Sequence, residues 1–206
     1  MKKLVSINLI LGLFMVLSSI TVDVPKEVIA PHLVAVKRKN DRNHTKGTAF
    51  YVMYNGKSYI LTNKHICDGK RTLYTADGPR KILKEAKYSD LCLVESKRNT
   101  GLKIASKPPQ SLDMIHLLGF PMGHQLTARF GRIVGNVAER FRWVSPEKIE
   151  VTHVAVPAFP GSSGSPVCDK NGRLIGVLFS THAFTYEDSY MVPHKELLLF
   201  LARHAQ

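Results

Sequence analysis

From Leu33 almost to its end, this chain is built of short β-branched and aromatic runs separated by turn formers. Leu33–Val36, Thr48–Tyr54, Tyr59–Asn63 and Arg71–Thr75 open the series, and Leu91–Glu95 and Met114–Gly119 continue it. Gly131–Val137, Ile149–Val156, Ser165–Cys168, Leu174–Ser180 and Ser189–Val192 complete it. About eleven runs of strand length, each closed by a turn signal, restrict the chain to an all-β sandwich or barrel. Asn55-Gly56 falls between two runs, where both residues tolerate the positive φ of a tight hairpin. Asn171-Gly172 marks another turn before Leu174. Only Lys195–Arg203 (KELLLFLAR) reads as a helix, and it comes last. Pro108-Pro109 divides the runs into two groups of similar length, predicting two barrels over about 33–107 and 110–206.

Ahead of the strands, Lys2 and Lys3 precede an apolar run from Leu4 to Val22. A charged start and such a run form the pattern of a secretory signal or of a single membrane anchor. Residues 1–22 are read as that segment, 23–32 as a linker and 33–206 as the folded domain. Val16-Leu17-Ser18 and Ser19-Ile20-Thr21 are the best small-residue pairs for cleavage. A cut leader implies export, and an uncut one implies tethering to the membrane. Roughly 175–185 residues then remain, enough for one core or two small barrels sharing an interface. The formal net charge of +13 is dispersed, with a modest cluster at Lys37-Arg38-Lys39 and Arg42. No nucleic-acid reader motif or set of interleaved stacking aromatics accompanies it, so the charge reads as a solvated face and no nucleic acid is expected as a partner.

Chemistry concentrates in three strings. Pro160-Gly161-Ser162-Ser163-Gly164-Ser165-Pro166 surrounds a serine with glycines. Such a turn exposes the hydroxyl and aims backbone N–H groups at one point, as a tetrahedral oxyanion requires. Ile60-Leu61-Thr62-Asn63-Lys64-His65 sets a histidine at the end of an apolar strand, the position of a general base. Tyr88-Ser89-Asp90-Leu91-Cys92-Leu93-Val94 sets an acid just before another strand, where it can orient an imidazole. The order Ser, acid, His of the α/β-hydrolases is excluded, because Ser163 comes last and Pro166-Val167 leads into a strand rather than a helix. Cys67, Cys92 and Cys168 lack metal-ligand spacing and lie in apolar runs, so buried thiols are expected and no metal or cofactor is implied. Cys67 and Cys92 each follow a candidate catalytic residue by two positions, which leaves a bridge between them open.

Taken together these strings resemble the trypsin-like peptidases, specifically the HtrA/Deg-like protease domain without an attached PDZ domain. Gly47-Thr48-Ala49-Phe50 followed by Tyr59–His65 resembles that group's strand pair leading into its histidine. Ser89–Val94 resembles the aspartate segment, and Gly119-Phe120-Pro121-Met122-Gly123 with Thr127 and Gly131 the start of the second barrel. Pro160–Val167, Gly172, Ile175-Gly176-Val177 and Tyr190-Met191-Val192-Pro193 follow in register, so the match runs from about Leu33 to Phe200. The resemblance implies two six-stranded antiparallel chymotrypsin-like β-barrels with a C-terminal helix. It also implies a serine endopeptidase acting on polypeptides through a catalytic triad of His65, Asp90 and Ser163, with an oxyanion hole from the N–H groups of Gly161 and Ser163. Ser162 stands where digestive trypsins carry an aspartate, so activation by a new N-terminus is not expected, and Ser165 replaces a glycine. The specificity pocket is expected between Pro157, Ala158 and Phe159 on one side and Phe179, Ser180 and Thr181 on the other. No carboxylate stands among these residues, which predicts small or medium apolar side chains before the scissile bond. The alternative is a protease fold that has lost activity and serves as a binding or scaffold protein.

Overall fold

The computed structural model describes residues 26–38, 41–123, 125–182 and 187–205, with backbone alone for 38 and 41–45. The expected leader, Lys39 and the side chains of Arg38 and Arg42 lie outside the described residues. Among the described residues, no helix is long and apolar enough to cross a membrane.

Among the described residues, twelve strands form two closed antiparallel barrels. The first contains β1 (Leu33–Arg38), β2 (Asp41–Tyr54), β3 (Lys57–Thr62), β4 (Thr72–Thr75), β5 (Gly78–Glu85) and β6 (Cys92–Glu95), in the order β1-β2-β3-β6-β5-β4. The second contains β7 (Met114–Gly119), β8 (Thr127–Glu139), β9 (Ile149–Ala155), β10 (Pro166–Cys168), β11 (Leu174–Thr181) and β12 (Asp188–Val192), in the order β10-β11-β12-β9-β8-β7. Short helices α1 (Lys26–Ile29) and α2 (Lys64–Cys67) flank the first barrel, and α3 (His194–His204) closes the chain. The expected all-β fold of two six-stranded barrels with a C-terminal helix is therefore the observed one.

The hairpin at Asn55-Gly56 forms where the dipeptide places it: φ is 48° and 76° at the two residues, and Tyr54 pairs with Lys57 across the turn. At the second turn, Asp169 Oδ1 accepts from the backbone N–H of Asn171 (2.8 Å) and Arg173 (2.9 Å). β5 carries no run among those expected from sequence. It reads Gly-Pro-Arg-Lys-Ile-Leu-Lys-Glu, and its one buried side chain is Arg80, whose guanidinium donates to the carbonyls of Pro79 and Asp77. An exposed strand of that kind has no apolar alternation to read.

Side chains on successive positions divide between three cores. Tyr51, Ile60 and Val94 point into the first barrel, while their neighbours Phe50, Leu61 and Leu93 point into the interface between barrels. Ile115, Ile133, Val167 and Met191 fill the second barrel, and Leu118, Val177, Phe179 and Leu197 complete the shared core. Both faces of the central strands are thus buried, which is why they read as unbroken apolar runs. The linking segment joins the barrels by backbone bonds, Leu102 N–H to Tyr51 C=O (2.8 Å) and Ala105 N–H to Leu174 C=O (2.9 Å).

Candidate active site

His65 and Asp90 meet at one end of the first barrel. Buried β3 delivers the chain to Asn63, which is extended (φ −80°, ψ 151°), and the single turn of α2 then swings His65 out of the strand line. Asp68 stops the turn in the left-handed region at φ 49°. The Asp90 carboxylate, only 2% exposed, spends both oxygens on His65. Oδ1 accepts from the His65 backbone N–H at 3.0 Å, and Oδ2 lies 2.6 Å from Nδ1. An ionised carboxylate only accepts, so the ring carries its proton on Nδ1 and presents Nε2 as a base. Buried Asn63 fixes the acid from behind, its Nδ2 donating to the Asp90 carbonyl at 2.9 Å. A disulfide joins Cys67 to Cys92, tying α2 to β6 two residues beyond each member of the pair. The expectation of buried thiols therefore fails for these two cysteines, because α2 turns Cys67 back toward β6, and holds for Cys168, which is free and buried.

Ser163 sits in the turn between β9 and β10 of the second barrel. Ser162 N–H donates to Phe159 C=O (2.9 Å) and Ser165 N–H to Ser162 C=O (3.0 Å), winding the chain tightly around it. Gly164 has φ 83°, and a β-carbon there would stand 2.0 Å from the Thr48 carbonyl oxygen. Gly161 has φ 93°, and its β-carbon would stand 2.5 Å from the Phe120 carbonyl oxygen. The Pro160 carbonyl accepts from Met122 N–H at 2.5 Å. In a trans peptide the C=O and N–H point in opposite directions, so this bond turns the Gly161 N–H away from Met122. Among the described residues, neither Gly161 N–H nor Ser163 N–H donates to a protein acceptor.

Thr48 on β2 holds this turn from across the interface. Its backbone N–H donates to Ser163 C=O (2.8 Å), its hydroxyl donates to Gly161 C=O (3.0 Å), and that hydroxyl accepts from Phe120 N–H (3.0 Å). Thr62 Oγ1 donates in turn to Thr48 C=O at 2.7 Å. Neither Thr48 nor Asn63 was singled out as functional from sequence, although both lie inside strings that flank the candidate histidine. The buried Ser165 hydroxyl occupies space that a β-carbon at Gly119 would enter, at 2.0 Å. The serine in place of a glycine is thus accommodated by the absence of a side chain opposite it.

Beside Ser163 a cavity of about 330 Å³ opens in the second barrel. Ala158, Phe159, Phe179, Ser180 and Thr181 line it, together with Pro160, Ser162, Ser163 and Leu178. Pro157 does not line it: its carbonyl faces outward and accepts from Arg129 Nη1 at 3.2 Å. The same guanidinium covers the back of Phe159, 4.5 Å from the ring centroid, and burial pushes the Arg129 pKa down. Sequence reasoning missed Arg129 because nothing near it in the chain marks the stacking. The structure therefore brings His65 to Asp90, and places Ser163 on the wall of the cavity with Gly161 two residues before it in the same turn. It does not close a hydrogen bond between the Ser163 hydroxyl and His65 among the described residues. Nucleophile–base bonds are often looser where no substrate is bound.

A family model described as "Trypsin-like peptidase domain" matches residues 47–177. A probable periplasmic serine endoprotease, DegP-like, of Chlamydia trachomatis serovar D is 28% identical over 149 residues, 68% of this chain and 29% of the relative. The serine protease Do-like HtrA of Bacillus subtilis is 24% identical over 136 residues, 60% of this chain and 30% of the relative. The chain thus spans less than a third of these curated relatives. Among solved structures, the Rv3671c protease of M. tuberculosis in its inactive form superimposes with a TM-score of 0.72 at 23% identity, covering 90% of this chain and 95% of that one, a likeness of fold. The matched region takes in His65, Asp90 and Ser163 and extends over both barrels. This chain belongs to the trypsin-like peptidase domain family.

Proposed function

We propose that the chain is a serine endopeptidase in which Ser163 is the nucleophile, His65 the general base and acid, and Asp90 the group that orients the imidazole. Ser163 Oγ attacks the scissile carbonyl while His65 Nε2 takes its proton. The carbonyl oxygen becomes an oxyanion held by the N–H groups of Gly161 and Ser163. Collapse breaks the C–N bond, and the His65 proton leaves with the amine. Water, deprotonated by the same nitrogen, then releases the acyl group and regenerates Ser163. The observation that carries this reading is the use of both Asp90 oxygens on His65, at 2.6 and 3.0 Å, together with a Ser163 turn whose Gly161 and Ser163 N–H groups have no protein acceptor among the described residues. The largely apolar cavity walls at Ala158, Phe159, Leu178 and Phe179 support a small or medium apolar side chain before the scissile bond. Action outside the cytoplasm, by export or by anchoring through residues 1–22, accords with the apolar start of the chain and with a relative described as periplasmic.

The open Ser163–His65 link favours the second reading, a protease fold retained for binding. Labelling of the full chain by a fluorophosphonate, beside His65→Ala and Ser163→Ala, separates the two. Endopeptidase activity predicts labelling of the wild type and loss of it in both folded variants. A folded wild type that takes up no label assigns the chain to the binding class.

A further inference from the structure

The first barrel carries a groove of about 480 Å³ that the chemistry above does not use. Val36, Ile66 and Leu73 make its buried apolar floor, and exposed Lys46, Lys70 and Arg71 stand on its rim. None of the described residues lining it is acidic. The acids beside it offset little of this charge. Asp68 lies 3.5 Å from Lys70 but is 76% exposed, and such a pair is weak in water. Glu85 is engaged with the Gly69 N–H at 3.0 Å. Lys81, the register partner of Thr72 on the groove wall, adds another cation on the neighbouring strand.

The groove starts at the candidate active site. Lys46 precedes Gly47, where a β-carbon would meet Ser163 O at 3.1 Å and Ile66 Cδ1 at 2.4 Å. Ile66 itself follows His65 in α2. The 330 Å³ cavity shares no lining residue with the groove and is bounded by Ser163 itself and by Ser180 and Thr181 of β11. On the peptidase reading, a polypeptide with its acyl-side residue in that cavity has this groove, next to Gly47 and Ile66, as a path for the segment after the scissile bond. Extended chain alternates its side chains, presenting one set to the apolar floor and leaving carboxylates to meet the rim.

Resting on the peptidase reading, we propose that this groove binds an acidic polypeptide segment, Asp- or Glu-rich, on the leaving-group side of the bond to be cut. The apolar floor favours side chains over a nucleic-acid backbone, and the continuity with Ser163 favours a substrate over an unrelated anion. Recognition is by charge and falls with salt.

The test uses two fluorescein-labelled peptides, identical except that four positions after the site are Glu in one and Gln in the other. Binding to the full chain carrying Ser163→Ala is read by anisotropy at low and at high salt. The Glu peptide is expected to bind about tenfold more tightly, as three exposed charge pairs allow. The difference should vanish at high salt and in a Lys46→Ser/Lys70→Ser/Arg71→Ser variant whose melting curve shows it folded. Equal binding of the two peptides, a Glu preference that survives in the triple variant, or tighter binding of an oligothymidylate than of the Glu peptide overturns the proposal. Fluorophosphonate labelling of the wild type keeps the two readings apart. Labelling without a Glu preference removes the groove and leaves the peptidase, and a Glu preference without labelling removes the peptidase and leaves the groove.

Discussion

Thr48→Val exchanges a hydroxyl for a methyl group of nearly the same shape at a site that is fully buried, so its effect should be chemical rather than steric. The hydroxyl makes two hydrogen bonds, to Gly161 C=O and from Phe120 N–H, each at 3.0 Å. A typical bond contributes about 0.5–1.5 kcal/mol net, and a buried group left unsatisfied costs about 1–3 kcal/mol. The protein relieves that cost most directly by turning the Gly161 carbonyl toward water, which rotates the Gly161–Ser162 peptide. That rotation carries the Ser162 N–H away from the Phe159 carbonyl, 2.9 Å in the intact turn, and the loosened turn then holds the Gly161 N–H less well in its aim. One oxyanion donor is worth on the order of 10²–10³ in turnover, so a partial loss of aim should slow acylation by about 10–100-fold. The assay is the rate of fluorophosphonate labelling, which needs no knowledge of the substrate, together with a thermal melt. Thr48→Ser keeps the hydroxyl and should recover most of the rate. The backbone bond from Thr48 N–H to Ser163 C=O survives in both variants, so Ser163 itself stays in place. A Thr48→Val protein with a lowered melting temperature but a labelling rate within about twofold of wild type would refute the reasoning, since Thr48 would then stabilise the fold without positioning the donor.

Replacing both Cys67 and Cys92 by serine releases a loop of sequence separation 25, for which chain entropy predicts a loss of about 3–4 kcal/mol, read from the urea midpoint. Labelling should slow as well, because the bridge lies two residues beyond both His65 and Asp90; an unchanged rate would mean that Asn63 and the carboxylate bonds suffice to hold the pair. Stability should also fall in acid for a reason outside the active site. His116 is buried with Nε2 unpartnered, and burial pushes its pKa below the ordinary 6.5 despite the opposing pull of Asp169. His32 is lowered likewise, by burial first and then by Arg98. Below that ordinary value the unfolded chain binds more protons than the folded one. Their contribution is therefore intact above about pH 6.5 and is lost as pH falls through the depressed folded values. His116→Phe, which keeps an edge-on ring against Phe130 (5.0 Å), should flatten the melting temperature between about pH 7 and pH 5; an unaltered slope would show that its burial is not what acid acts on.

The fold was legible because most strands bury both faces. Phe50 beside Tyr51, Ile60 beside Leu61 and Leu93 beside Val94 each serve two cores at once, and such pairs leave runs that no loop would carry. The same logic explains the strand that was missed. β5 completes the first barrel by pairing with β4 and β6, yet its buried residue is Arg80 and its exposed ones mix Lys81 and Lys84 with Pro79 and Leu83, so closure of the barrel rather than its own pattern makes it a strand. The site divides in the same manner. As candidates, His65, Asp90 and the glycines around Ser163 could be read from the chain because the proposed chemistry would force particular residues into short strings. Thr48, Arg129 and the turned-away Pro157 were not, since each acts on a partner far off in sequence: Gly161 is 113 positions from Thr48, and Pro157 is 28 from Arg129.

That division also orders the parts of the site by how firmly they are made. The His65–Asp90 pair lies wholly within the first barrel and is closed at 2.6 Å. The turn that frees the two N–H groups lies within the second and is wound by its own backbone bonds. A link between Ser163 Oγ and the imidazole would have to cross from barrel to barrel, and no hydrogen bond joins them among the described residues. What crosses instead are the contacts of Thr48 with Gly161, Ser163 and Phe120, which fix the second barrel's turn against β2 but not against α2. On the proposed reading, a polypeptide seated in the 330 Å³ cavity and running over the groove beside Lys46 would touch both barrels. Part of its binding energy would then be available to draw Ser163 and His65 together, as binding remote from the reacting bond does when it is used to orient the groups that react.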